Sequence, residues 1–268
     1  MKHLRIELHC HTHASHDGMI TPDGLAKAAL RRGLDAVAIT DHDTIAGALE
    51  FRAWMRERNI PLEIVIGEEL TLEDGCHLIG LFLQEPLRSS TAREAVGEIH
   101  AQGGLALVPH PFRRDGLRGP NAAEAIEADA FEIHNAKCSH ALNEQARVAF
   151  ADGTEGIFGG SDAHYEADVG ECVNVIAWQG SIERTLRAMF AHTATFSILG
   201  PVQTPSTGER SYAGLYHRLK RVCRVPRPLL PVAKQLYRLY WNHLRLSSGG
   251  SLQVLHDERP SPARLSHA

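Results

Sequence analysis

The chain has 268 residues, 43% of them hydrophobic, which is enough for an ordinary core in one large domain or two small ones. Its five cysteines are odd in number and never arranged as CxxC, which argues against a disulfide framework or a thiolate zinc site and for a reducing, cytoplasmic compartment. The net charge of −4 divides unequally, with 17 Lys+Arg against 30 Asp+Glu over residues 1–209 and 11 against 2 over 210–268; Arg5, Glu7 and His9 break any apolar run at the start, so neither a secretory signal nor a transmembrane segment is expected.

RIELHCHT (5–12) reads as a strand. TPDGLAKAALRRG (21–33) then carries Thr21 as N-cap, Pro22 at the first helical position and Gly33 as the stop of a helix. DAVAITDHD (35–43) is the next strand, and a helix is expected from about Thr44 to Arg58. LEIVIGEELT (62–71) and CHLIGLFL (76–83) are adjacent strands joined by the turn LEDG, which predicts an antiparallel or irregular excursion. There follow a helix near Ser90 to Gln102, the strand LALVPHPF (105–112), a helix near NAAEAIEA (121–128), the strand AFEIHNA (130–136) and a helix from about Ala141 to Ala151. GIFGGSDAH (156–164), CVNVIAW (172–178) and a helix from Ile182 to Phe190 finish the pattern. Such alternation predicts a mostly parallel sheet with helices packed on it, as a barrel of seven or eight units or as a doubly wound open sheet.

The polar residues cluster at strand ends. His9 and His11 end the first strand, Asp41 and His42 the second, Glu68 and Glu69 the third; His77 begins the fourth; His110, then His134 and Asn135, then Asp162 and His164 end the later ones. Strand C-termini in parallel α/β folds form one rim, where active sites are built. HxH on a strand points both rings to one face, because side-chain direction alternates with period two, and Asp162 with His164 repeats that geometry. Imidazole mixed with carboxylate suits zinc, manganese, iron or cobalt better than calcium. A lone histidine on a strand is more often a hydrogen-bonded structural residue, but an accidental polar rim does not account for one such motif per strand end.

The ordered series HCHTHASHDG, ITDHDT, IGEELT, CHLIGLFL, VPHPF, FEIHN and GGSDAH resembles the PHP family, named for its polymerase and histidinol phosphatase members, over about residues 5–200. The resemblance implies a distorted (β/α)7 TIM-like barrel over residues 1–200 that hydrolyses phosphate esters with two or three divalent ions (Zn, Mn or Fe). Carried over motif by motif, it assigns His9, His11, Glu69 and Asp162 to one ion. Glu69, His77 and His110 go to a second, with Glu69 bridging in preference to Glu68; Asp17, His42 and His164 go to a third, where some relatives carry histidine in place of Asp17 and the adjacent His16 is a substitute.

Two ions about 3.5–4 Å apart share a bridging water and lower its pKa, so a metal-bridging hydroxide is the expected nucleophile. Arg113 and Arg114 are candidate bidentate phosphate donors and Lys137 a third cation. Asp41 is expected to orient a neighbouring ligand by hydrogen bonding, His134 to line the pocket and His13 to face away. A phosphorylated small molecule, nucleotide or short oligonucleotide is the expected substrate; an amidohydrolase-like C–N hydrolase and a non-catalytic nucleic-acid or membrane-binding module are the rivals.

After Gly200 the composition changes. PVQTPSTGERS (201–211) reads as a linker, and between Arg210 and His256 there are nine Lys+Arg and no acids, interleaved with Tyr212, Tyr216, Tyr237, Tyr240 and Trp241. Residues 201–268 are therefore expected to hold a linker, a basic helical extension and, from 247, a disordered tail. Nucleic-acid binding through 210–246, an interfacial amphipathic helix over 233–246, and a helix docked on the acidic barrel are three readings of that extension.

Overall fold

The computed structural model describes residues 2–117, 127–151, 153–201 and 252–259. Strands β1 (His3–Glu7), β2 (Ala36–Ile39), β3 (Glu63–Thr71), β4 (His77–Leu81), β5 (Leu105–Val108), β6 (Ala130–Asn135), β7 (Gly156–Gly160), β8 (Val173–Ala177), β9 (Phe196–Gly200) and β10 (Gln253–Glu258) form one sheet. Helices α1 (Pro22–Arg32), α2 (Ala46–Glu57), α3 (Ala92–Ala101), α4 (His140–Phe150) and α5 (Ile182–Phe190) connect them.

Local chemistry sets the helix starts. Thr21, Thr91, Ser139 and Ser181 each accept a backbone N–H of the first turn, at Gly24, Glu94, Leu142 and Arg184, and so satisfy a donor that the helix itself leaves orphaned. Gly33 ends α1 at φ 63°, a left-handed conformation open to glycine at little cost.

The sheet order is β10-β9-β8-β1-β2-β3-β4-β5-β6-β7. β1, β2 and β3 run parallel, as do β5, β6 and β7, whereas β4 is antiparallel to both neighbours. β8 is antiparallel to β1, and β9 and β10 continue the alternation. The result is a curled, open mixed sheet rather than a closed ring of parallel strands. Its two halves meet where the chain after β1 bridges the chain after β7: His11 N–H donates to the Ala163 carbonyl (2.8 Å) and Ala163 N–H to the His9 carbonyl (3.2 Å).

Both faces of the sheet are buried, as near-continuous apolar strands require. Val37 and Ile39 of β2 join the core beneath α1 and α2 with Leu25, Phe51 and Met55, while Ala36 and Ala38 join the other core with Leu4, Ile6 and Val65. The alternation of β2 therefore divides one apolar run between two cores.

Two strands escape the sequence reading. FSILG, to which no element was assigned, is β9, and Gln253–Glu258, expected to be disordered, is β10 paired with it. Side chains secure the pair: His192, 2% exposed, sets Nδ1 2.6 Å from Glu258 Oε1 and Nε2 2.8 Å from the Glu155 carbonyl, and Ser197 Oγ donates to Asp257 (2.5 Å). The helix expected near 121–128 falls mostly outside the described residues, as does the basic extension over 210–246. No helix among the described residues is long and apolar enough to cross a membrane.

Replacing Glu258 with Ala leaves the buried His192 Nδ1 without its acceptor and is expected to destabilise the fold by about 1–3 kcal/mol in urea denaturation. Fast hydrogen exchange at residues 253–258 of the wild type would contradict the assignment of β10.

Candidate metal centre

Strand polarity explains why distant motifs meet. Parallel strands bring the ends of β1, β2, β3, β5 and β7 to one rim, and because β4 runs the other way, its first residue, His77, pairs with Thr71 at the end of β3 on that same rim. His9 and His11 follow β1 in an extended stretch whose alternation sends Cys10 into the core between them. Gly160, at the end of β7, makes the close approach possible: a Cβ there would lie 2.6 Å from His9 Cβ and collide with Glu132. His110 (φ 30°) and Asp162 (φ 50°) hold left-handed backbone conformations, uncommon for side-chain-bearing residues and concentrated at functional sites.

Glu69 lies at the middle. It is 1% exposed and divides its oxygens between two groups of imidazoles. Oε2 is 3.1 Å from His11 Nε2, 3.3 Å from His9 Nε2 and 3.6 Å from His42 Nδ1. Oε1 is 2.9 Å from His77 Nδ1 and 3.0 Å from His110 Nε2. Asp162 Oδ1 stands 3.5 Å from His11 Nε2 and 3.7 Å from His9 Nε2. On the outer side Asp17 Oδ2 is 3.1 Å from His164 Nε2 and 3.6 Å from His42 Nε2. The ring of His11 stacks between those of His42 (4.6 Å) and His164 (4.4 Å), joining this third group to the first.

Four overlapping sets of donor atoms come within 4.8 Å of one another: His9, His11 and Glu69; His9, His110 and Asp162; His42, Glu69 and His77; and His11, Asp17, His42 and His164. All nine side chains that the resemblance assigned to metal are thus in one cluster.

The cluster's electrostatics are those of a site built for cations. Burial alone would push the Glu69 carboxyl up, yet the surrounding imidazoles, His9 foremost, hold it well below the usual carboxylate range. Asp162 is held down against burial in the same way, first by the Arg113 guanidinium and then by His9. Burial disfavours a charged His9, but Asp162, Glu132 and Glu69 raise it well above the ordinary imidazole value. His11 is pushed up to about 9 by Asp162 and Glu69 against the same burial, whereas burial wins at His42, which falls to about 4. His11 Nε2, His42 Nδ1, His77 Nδ1 and Asp17 Oδ1 are buried with no aligned hydrogen-bond partner. Unbonded buried nitrogens and carboxylate oxygens of this donor chemistry fit divalent transition ions, which satisfy them jointly.

Arg113 reaches into the cluster, with Nη1 2.6 Å from Asp162 Oδ2, Nη2 2.9 Å from His110 Nε2 and Nε 2.6 Å from Asp115 Oδ1. Lys137 Nζ pairs with the buried Asp168 (2.6 Å), whose Oδ2 also accepts the His164 N–H at 3.4 Å. Arg114 is exposed on the adjoining loop. His13 faces away, as expected, with Nε2 3.0 Å from Glu50 Oε2, and the His16 side chain is 74% exposed.

Two expectations need correction. Asp41 touches no ligand ring in the described contacts: its oxygens accept the Thr12 N–H (2.5 Å) and hydroxyl (2.7 Å), so it anchors the turn behind His11. His134 does not line the metal pocket. A register shift in β6 between Glu132 and His134 breaks the alternation, and His134 packs beside Gly200 in a separate cavity of about 290 Å³ with Ile198 and Leu255.

Sequence reasoning also missed two buried acids, Glu132 and Glu7, and gave no role to Asn135, which it had placed on the rim. Glu132 bonds His9, His110 and Asn135; Asn135 bonds Asp162; Glu7 takes the His9 N–H (3.1 Å) and bonds both polar groups of Ser161, and burial raises its carboxyl to about 7. The available signal was an acid inside a strand otherwise buried on both faces, as in RIEL and AFEI.

The chain matches the PHP domain over residues 7–137. It is 33% identical over 144 residues to an uncharacterized protein of Methanocaldococcus jannaschii, covering 50% of this chain and 82% of that protein. It is 36% identical over 80 residues to a 5'-3' exoribonuclease of Haemophilus influenzae, covering 29% of this chain and 28% of the enzyme. Among solved structures, it shares its fold with a two-domain protein of Bacteroides vulgatus described as containing a predicted PHP-like metal-dependent phosphoesterase. That match has a TM-score of 0.59 and 21% identity over 73% of this chain and 64% of that one.

Protons and cations compete for the same nitrogens. His11 keeps its proton to about 9, against 6.5 ordinarily, so metal binding must displace that proton at any lower pH. Affinity for Mn²⁺ or Zn²⁺ is therefore expected to rise from pH 6.5 to about 9, with proton release on binding. Chelator competition at the two ends of that window measures it; an affinity that is flat or falls with pH contradicts the proposed ligand role of His11.

Proposed function

The chain belongs to the PHP domain family, and from that premise we propose that it is a metal-dependent phosphoesterase whose cations are held on either side of Glu69. The observation that carries this reading is the division of one buried carboxylate between two sets of imidazole nitrogens, His9 and His11 on one oxygen, His77 and His110 on the other. His9, His11, Glu69 and Asp162 would hold one ion, Glu69, His77 and His110 a second, and Asp17, His42 and His164 a third. The chemistry supplied by divalent cations there is Lewis acidity toward phosphoryl oxygens and a water acidified to near neutrality.

The protein's own residues do the rest. Glu69 and Asp162, both held ionised by the imidazoles and guanidinium around them, would serve as anionic oxygen ligands to the cations. Arg113 presents a guanidinium at the cluster, its Nε and Nη2 on Asp115 and its Nη1 on Asp162, and phosphoryl oxygens are the ligands it would take in exchange for these carboxylates; Lys137 adds a second cation near His164. Asp41 stiffens the His11 turn through Thr12. Burial of the cluster excludes bulk water and strengthens each of these interactions.

Phosphoryl oxygens suit the donor set and the cations beside it. We assign phosphomonoesters, nucleotides or short oligonucleotides, with Arg114 on the exposed loop as an outer phosphate contact. The exoribonuclease from Haemophilus influenzae supports the oligonucleotide end of that range. Residues 210–246, basic and aromatic, join the chain between the end of β9 and the start of β10, and their composition favours nucleic acid as the partner. In this reading residues 1–200 carry catalysis and residues 201–268 the extension, in the reducing cytoplasmic compartment that an odd number of cysteines without CxxC suits.

Glu69→Gln keeps the size of the side chain and removes its charge. Assayed with Mn²⁺ or Zn²⁺ on p-nitrophenyl phosphate, its bis-ester and short oligonucleotides, the variant is expected to lose at least one ion and about 100-fold or more in kcat, since bridging cations stabilise the transition state by several kcal/mol. Wild-type turnover in that variant, or no turnover of any phosphate ester by the metal-loaded wild type, overturns the proposal.

A further inference from the structure

Glu132 is a buried carboxylate that touches the cluster's residues without belonging to any of the four donor sets. It is 1% exposed, stands on β6, and spends every contact on residues that surround the cations' place rather than on that place itself. Oε1 is 3.1 Å from His9 Nδ1. Oε2 accepts the His110 backbone N–H at 2.7 Å and the Asn135 side-chain amide at 2.9 Å. The same amide reaches Asp162 Oδ2 at 3.3 Å, and Asn135 is itself fixed by Asn143, which accepts its N–H and donates to its carbonyl, both at 3.0 Å.

We propose that Glu132, relayed by Asn135, is the positioning residue of the metal centre: one carboxylate sets the tautomer of His9, the backbone of His110 and the rotamer of Asp162. The proposal rests on the phosphoesterase reading and deepens it. A carboxylate oxygen at this position accepts from His9 Nδ1–H, so in the neutral ring the lone pair falls at Nε2, the nitrogen turned toward Glu69 and Asp162. The His110 peptide is held in its left-handed conformation (φ 30°) by the bond to Oε2, which sends Nε2 toward the other oxygen of Glu69. Glu132 therefore couples a nitrogen on each side of the bridging carboxylate. Gly160 belongs to the same device, since any Cβ there would strike Glu132 Oε1.

Glutamine at 132 has the same shape but one oxygen and one NH2 group, and both ends of the present carboxylate face donors, so either the bond from His9 Nδ1–H or the two from His110 and Asn135 must be lost. Partners of this kind, when removed, typically lower metal affinity about 10- to 100-fold. The test is Mn²⁺ titration calorimetry on wild type and Glu132→Gln, with metal content by mass spectrometry and the thermal midpoint of each protein. Histidine ¹⁵N spectra of the zinc-loaded forms read the His9 tautomer.

The expected result is a folded variant with Mn²⁺ affinity reduced about 10- to 100-fold and a His9 Nδ1–H signal that weakens or shifts. Affinity within about twofold of wild type, with the His9 tautomer unchanged, overturns the proposal. Should Glu132→Gln fail to fold, Asn135→Ala is judged by the same readout: it removes the relay without burying a charge and is expected to weaken binding several-fold, and unchanged affinity overturns the proposal equally. A wild type that takes up no metal defeats the phosphoesterase reading itself, which separates the two failures.

Discussion

A carboxylate buried to within 1% of complete exclusion from water, Glu69, faces five imidazoles across distances of 2.9–3.6 Å, and the rest of the structure is organised to make that tolerable. Removing one ion from water is costly, and a second buried carboxylate, Asp162, adds to the cost. Cations offset it. Imidazoles with bare nitrogens cannot supply the positive charge themselves at neutral pH unless they hold protons, which is why His9 and His11 are driven upward while His42, farther from the carboxylates, is driven down. Divalent ions resolve the conflict by taking the place of those protons.

The fold serves this constraint through strand direction. Parallel strands gather the motifs of β1, β2, β3, β5 and β7 at one end, and the reversal of β4 delivers His77 there from its N-terminal residue. Residues that never approach the centre enforce it: Asp41 grips Thr12, Glu7 grips the strand ends at His9 and Ser161, and Glu132 grips His9 and His110. Left-handed backbone at His110 and Asp162 is the local cost of aiming two side chains into a crowded space, and these bonds hold it in place.

Much of this was legible in the sequence, for reasons that differ by element. The helix from Thr21 to Gly33 is bounded by a cap, a proline and a glycine that each act within one turn, so its limits are local information. Eight of the nine clustered acids and imidazoles stand at strand ends, which is also local information, whereas Asp17 and the choice of Glu69 over Glu68 came from the family resemblance alone. What escaped depended on distant partners. β9 and β10 are short and stabilised by each other across residues 196–258, with His192 held by Glu258, and no local pattern announces a pairing of that span. His134 was misread because it stands at a strand end beside Asn135, and the register shift that accompanies its turn toward Gly200 is a property of the β6–β7 pairing. Glu132 was passed over because an acid in an apolar strand is conspicuous only once its neighbours are known to be buried.

The most direct test is anomalous diffraction from crystals grown with Mn²⁺ or Zn²⁺. Peaks on both sides of Glu69, one beside His9 and His11 and the other beside His77 and His110, with the carboxylate contributing an oxygen to each, are the predicted result. Crystals that diffract well and show no anomalous density among these side chains, or a single ion that Glu69 does not touch, would contradict it.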